Sequence, residues 1–234
     1  MKKLDRFITK NFNDNEINHA YSIILRTWYE IKNMKKKKKK CDFILEQMNN
    51  FIVEYSNNEI IIKIKNEKFK LTEKELNEYV EYIYKYFNEK YDVNYDYRMI
   101  NPIYFSIFFY DIIDKIIYIK EDTINLADIR LLRFNAEPGK LEDSERYKRL
   151  VDKNYKMISP FKSNLVIETP EERLQSAYES IKENGYGLDG QYAIFYNDEP
   201  YIRDGQHRVA SLKYLYGDID VKILRVYLKN KYFY

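Results

Sequence analysis

The residues best suited to chemistry are Asp204-Gly205-Gln206-His207-Arg208. They follow a short β-type run, Tyr201-Ile202-Arg203, and lead directly into a helical pattern. Its apolar positions are Val209, Leu212, Leu215 and Tyr216, and Gly217 stops it, as glycine past a helix end does. A strand, a tight turn and a helix in that order aim the first backbone N–H groups at one spot, backed by the positive end of the helix dipole. An anion fits there. Gly205 carries no side chain to obstruct its approach, and Arg208, one turn in, can add a forked cationic grip on phosphate or carboxylate. The plainer alternative makes Asp204 an N-cap, Gly205 a turn residue and Arg208 a solvated side chain. Three consecutive polar groups favour the first reading, because neither a core nor a cap asks for them. His207 is also one of only two histidines in the chain.

Other chemistries fare worse. Two histidines and one cysteine, far apart, give no metal-ligand spacing, so no metal site is expected from the residues themselves. Ser211 and His207 could touch at helical spacing, but a nucleophilic triad lacks a further base. Neither a Walker-type glycine loop nor the Rossmann glycine pattern occurs. The single cysteine, Cys41, excludes an internal disulfide framework.

Charge is indecisive. A net charge of +3 is too small to argue for a nucleic-acid coat. Two local basic stretches stand out, Lys35 to Lys40 and the set Arg146, Lys148, Arg149, Lys153, Lys156 and Lys162. The first reads either as a contact to phosphate, nucleic acid or membrane or as a solvated loop, and the second supports association with DNA. The apolar run Ile103 to Ile119 carries Asp111, Asp114 and Lys115, which are costly in a bilayer, so it reads as a mostly buried helix and no membrane contact is expected. The Met-Lys-Lys start is followed by Asp5 and Arg6 rather than an apolar stretch, which makes the cytoplasm the default address.

The elements that must position the turn follow from pattern. Residues 1–14 read as loose, and Asn15 as the cap of a helix through Trp28 and Ile31. Residues 51–71 switch to strand period and form a β-meander. Thr72 and Glu75 make a capping box for a helix with Leu76, Val80, Ile83 and Phe87 on its buried stripe. Asn88 to Asn101 reads as a loop. Ile124 to Leu132 is a strand, followed by a turn-rich loop from Arg133 to Lys140. Asp143 or Ser144 opens a short basic helix, and Thr169-Pro170-Glu171-Glu172 opens another that Gly185 ends. Gln191 to Tyr196 and Tyr201 to Arg203 make a hairpin about Asn197-Asp198-Glu199-Pro200, and Asp220 to Tyr227 is the last strand.

Asp-Gly-Gln-His-Arg after a strand and before a helix, within this order of elements, resembles the signature turn of the ParB/sulfiredoxin superfamily, to which the DGQHR-motif proteins and the free serine kinases belong. The resemblance covers roughly residues 124–228. It implies an α+β protein: a ParB/sulfiredoxin-like mixed α/β domain over 121–234, preceded over 1–120 by a helical region with a small β-meander. It also implies a nucleoside tri- or diphosphate with Mg²⁺ and a small hydroxylated substrate, hence a phosphotransferase or nucleotide hydrolase. Carried over by position, Gly205, Gln206, His207 and Arg208 would cradle the phosphates, with Asp204 at the entrance. Glu137, Asp204 and His207 become the candidate catalytic groups, Glu137 as general base in the manner of the free serine kinases, or else merely a loop acid beside Pro138. Sulfiredoxins place a cysteine where this chain has Gln206, which disfavours their chemistry. The chain ends at Tyr234, leaving no long helical region of the ParB partition type. A non-catalytic, DNA-associated module is the alternative.

Overall fold

The computed structural model describes residues 2–37, 42–47, 51–132, 137–158, 168–188 and 191–229. Lys38 to Lys40, Cys41, Arg133 to Ala136 and Lys162 lie outside the described residues. The chain is mixed α/β, with helices and several sheets, and divides into two compact units. One holds residues 2–92 and 96–114, the other 93–95, 115–158 and 168–229. No helix among the described residues is long and apolar enough to cross a membrane.

In the first unit the opening residues are ordered, contrary to the reading of 1–14 as loose. They form α1 (Lys2–Asn11), because Leu4 and Ile8, one turn apart, are buried. The Asp5 carboxylate accepts the Tyr21 hydroxyl at 2.6 Å. Asn13, not Asn15, caps α2 (Asp14–Lys36), with Glu16 completing a capping box. Four strands, β1 (Phe43–Gln47), β2 (Phe51–Ser56), β3 (Glu59–Ile64) and β4 (Glu67–Leu71), form an antiparallel meander, one strand more than the sequence suggested. Thr72 and Glu75 cap α3 (Glu73–Lys90) as expected.

The helix expected from Ile103 to Ile119 does not form as one element. It is α4 (Pro102–Ile107), two 3₁₀ turns (Phe109–Asp111 and Ile113–Lys115), and then β5 (Ile116–Asn125). The isoleucine-rich end suits a pleated, half-buried surface better than a helix. Ile116, Ile119 and Ile124 are its buried positions.

The second unit carries β5, β6 (Arg130–Leu131), β7 (Gly139–Lys140), α5 (Glu145–Val151), α6 (Pro170–Asn184), β8 (Ala193–Tyr196), β9 (Ile202–Asp204), α7 (Gln206–Tyr216) and β10 (Asp220–Leu228). The strand expected over Ile124 to Leu132 is broken. Asn125 ends β5 in a turn of its own making, its Oδ1 accepting the Ala127 N–H at 3.0 Å and its carbonyl the Asp128 N–H at 3.0 Å. The sheet runs β5-β10-β8-β9, with β10 parallel to β8 and antiparallel to β5. Helices α5 and α6 both pack on α7. Val209, Ala210 and Leu212 of α7 enter a core shared with Ile129, Leu141, Phe195 and Ile223. Pinning this core to the hairpin, Arg225 bonds Asp122 and donates to the carbonyls of Asn197 and Glu199 at 3.0 and 3.1 Å. Asp204 is thereby held opposite Ile194, at the end of β9.

Candidate functional site

The turn after β9 has the expected order of strand, glycine and helix, with one change of role. Gly205, not Asp204, is the N-cap of α7, with φ 91° and ψ 14°. Only glycine adopts such a conformation without strain. Having no side chain, it makes no capping hydrogen bond, and the first turn holds no acid. By helix geometry the N–H groups of Gln206, His207 and Arg208 have no intrahelical acceptor, and the first intrahelical bond goes from Val209 N–H to the Gly205 carbonyl at 3.0 Å.

Two expectations are corrected here. The missing side chain of Gly205 does not leave an open approach, because a Cβ there would lie 2.9 Å from Ala193 Cα and 3.0 Å from both Ala193 Cβ and Arg208 Nη2. Glycine is required by the strand behind it. Nor is Arg208 a free grip: its Nη2 donates to Asp204 Oδ2 at 3.0 Å and to the Tyr192 carbonyl at 3.3 Å. Asp204 is thus the counter-ion of Arg208, one helical turn away, rather than a cap. Both side chains are mostly buried, at 17 and 22 % exposure. A pair this enclosed is less screened than one on the surface.

Free hydrogen-bonding capacity remains around α7. The Nε atoms of Arg208 and Arg146, and Nε2 of His207, are buried with no hydrogen-bond partner among the described residues. The His207 ring is part-exposed as a whole, but this nitrogen is enclosed. Arg146 comes from α5 and Arg173 from α6, the two helices packed on α7. Neither arginine makes an ion pair among the described residues, and Glu145 acts on Arg146 only through space. Burial first, then the charges of Arg173, Arg146 and Arg208, push the His207 imidazole well below its ordinary 6.5. Burial likewise lowers the Arg146 guanidinium, and Arg173 adds to it. The charges of three cations therefore act on one histidine at the positive end of a helix, with Asp204 the only acid bonded to any of them among the described residues.

Glu137 is exposed. Arg130 forms a parallel bridge to Tyr201, and its N–H donates to the Pro200 carbonyl at 2.9 Å, so β6 runs alongside β9 in the same sense. β7 returns antiparallel, Leu131 opposite Gly139. Glu137, two residues before Gly139, therefore stands at the same end of this sheet edge as Asp204 and Gly205. Topology brings Glu137 to that end, and among the described residues no hydrogen bond or ion pair joins it to the turn.

Near the turn lies a shallow groove of about 380 Å³, lined by Tyr186, Tyr192, Leu212, Ile219, Asp220, Val221 and Lys222. Tyr192 belongs to both places, since its carbonyl holds Arg208 while its side chain meets Tyr186 edge-on with ring centres 5.7 Å apart.

Sequence reasoning found the turn, read Arg146 only as part of a basic helix, and missed Arg173 and the groove. The available signal for Arg173 was a cation in a first turn, Pro170-Glu171-Glu172-Arg173, where the dipole favours acids. Among the described residues no three acids, histidines or cysteines are grouped to hold a metal ion. Compared with protein-family models, with curated proteins and with solved structures, the chain matches none.

Proposed function

We propose that the second unit is a ParB/sulfiredoxin-like domain that binds a nucleotide through its phosphates at the α7 turn, as a phosphotransferase or nucleotide hydrolase acting on a small hydroxylated substrate. The observation that carries this reading is the set of buried, unpartnered donors on His207, Arg146 and Arg208 beside an uncapped helix N-terminus. Guanidinium and imidazolium donors with helix amides suit phosphate oxygens. They do not suit a divalent cation, so magnesium would be held by the nucleotide's own phosphates, and no step is assigned to it. The groove supports a nucleotide over a bare anion, since two tyrosines and three aliphatic side chains line it beside Asp220 and Lys222, and Tyr192 links it to Arg208.

On this reading Arg146, Arg173, His207 and Arg208 orient the phosphates and offset charge that builds on the transferring group. Glu137 would accept the hydroxyl proton of the second substrate, its exposed carboxylate standing at the matching end of the sheet edge. A panel of nucleoside di- and triphosphates, with and without magnesium, screened by thermal shift, tests the binding. A rise in melting temperature with any of them supports it, and no rise with any sinks it. Glu137→Gln should slow turnover while leaving binding intact, and full activity in that variant dismisses Glu137 as base.

A DNA-associated, non-catalytic role is the second reading. Its support is the exposed Lys148, Lys153 and Lys156 beside the same helices. It requires retention on DNA that weakens steeply with salt.

A further inference from the structure

We propose that the α7 turn takes a dianion, such as a terminal phosphoryl group, and that its binding brings a proton onto His207. This rests on the phosphate-site reading and adds to it the charge of the ligand and a coupled proton. His207 is surrounded by charge from each element packed around it: Arg146 on α5, Arg173 on α6 and Arg208 on its own helix.

The acids on these elements are committed elsewhere. Asp204 bonds Arg208 at 3.0 Å. Glu145 accepts the Ile158 N–H and Glu171 the Met157 N–H, each at 3.3 Å. Glu172 closes the cap of α6, accepting the Thr169 N–H at 2.9 Å. Asp204 offsets Arg208, while Arg146 and Arg173 have no bonded acid among the described residues, Glu145 acting on Arg146 only through space. A dianion balances both, whereas a monoanion leaves one to keep opposing a charged imidazole.

The geometry gives the proton its place. Nε2 of His207 is enclosed and unpartnered, as are the Nε atoms of Arg208, the next residue of α7, and of Arg146 on α5, which packs on α7. An enclosed polar nitrogen with no partner is costly. An anion among these atoms would give each a hydrogen bond, and a protonated His207 donates from both ring nitrogens. Without the anion the same surroundings disfavour that proton. Ligand and proton therefore favour each other, as linkage requires.

Sulfate is the probe, since it stays a dianion between about pH 5 and 8, where histidine changes charge. Methyl sulfate is its monoanionic counterpart. The full chain has only two histidines, so the ring proton signals of His19 and His207 are separable by proton NMR, with His19→Gln to assign them. The expected result is a His207 midpoint below the ordinary value in plain buffer, raised by about one pH unit or more by saturating sulfate but not by methyl sulfate. Sulfate affinity should strengthen by up to about tenfold per unit fall in pH across that interval. In His207→Gln it should become nearly independent of pH. Sulfate that binds while the wild-type His207 midpoint stays put overturns the coupled proton and leaves the phosphate site standing. Equal effects of sulfate and methyl sulfate overturn the dianion. No binding of sulfate at any pH overturns this inference together with the reading beneath it.

Discussion

Helices α6 and α7 pack side by side in one unit, yet their first turns are built on opposite terms. α6 closes itself. Thr169 Oγ1 accepts the Glu172 N–H at 3.1 Å, and Glu172 accepts the Thr169 N–H in return. Glu171 and Glu172 put negative charge where the dipole wants it, worth about 0.3–1 kcal/mol. α7 opens on a glycine, has no acid in its first turn, and places His207 and Arg208 there instead. Its neighbours then add Arg146 and Arg173, charges of the same sign. The chain knows how to finish a helix, as it does at α2, α3 and α6. At α7 it forgoes that stability and gathers donors: contact with Ala193 accounts for the glycine, but not for the cations brought to His207.

The largest effect should come from the residue that makes the open turn. Gly205→Ala would force a side chain into a left-handed conformation, about 1–2 kcal/mol, and against Ala193 Cα, about 1–3 kcal/mol more. Denaturant melts should show a loss of about 3 kcal/mol in all, given the 2.9 Å approach. A loss below about 1 kcal/mol would mean that β8 yields and that the glycine is not there for packing. Next comes Arg208→Ala. Losing a charged hydrogen bond should weaken binding of a phosphate-bearing ligand by about 1.5–3 kcal/mol, with the fold retained. Unchanged affinity would place the ligand elsewhere, since Arg208 also anchors Asp204 and Tyr192.

The contrast between the two turns was partly legible in the sequence, for a physical reason. Caps and glycine stops are local, so Thr169-Glu172, Thr72-Glu75, Gly185 and the Asp204-Gly205 turn could be read from residues a few places apart. What fills the space around Gly205 is not local. Ala193 and the Arg208 side chain come to it only once β8 and β9 pair, so its glycine looked like an opening and is a close contact. The gathering of Arg146 and Arg173 on His207 depends on how α5 and α6 pack on α7, which no spacing encodes. The misread stretch from Ile103 to Ile119 erred differently. Polar residues three and four apart gave a helical period, while the β-branched residues and their pairing with β10 decided the outcome.

A pH series separates the two turns without any ligand. The folded-state pKa of His207 lies below its unfolded value, so between the two the unfolded chain binds the proton and the folded chain does not. Stability should be fully present above about pH 6.5 and fall as pH drops toward the folded-state value. His207→Gln should remove that part of the slope in thermal melts. Retention of the full slope in this variant would assign it to carboxylates, and the cationic crowding at α7 would then have no consequence for folding.

The smallest effect belongs to the closed turn and is the control for the others. Thr169→Ala removes the side chain that accepts the Glu172 N–H, at a cost of about 1 kcal/mol, and keeps the backbone N–H that the Glu172 carboxylate accepts. Because α6 satisfies its own first turn, this loss should appear in stability alone, with phosphate or sulfate affinity unchanged. Arg173 makes the test sharper, since it begins one residue after Glu172 and acts on His207 across the helix contact. If Thr169→Ala weakens anion binding as much as it weakens folding, the two turns are one unit, with the α6 cap holding Arg173 in place for α7. If it leaves binding untouched, Arg173 is held by the packing of α6 on α7, and the cap serves only its own helix.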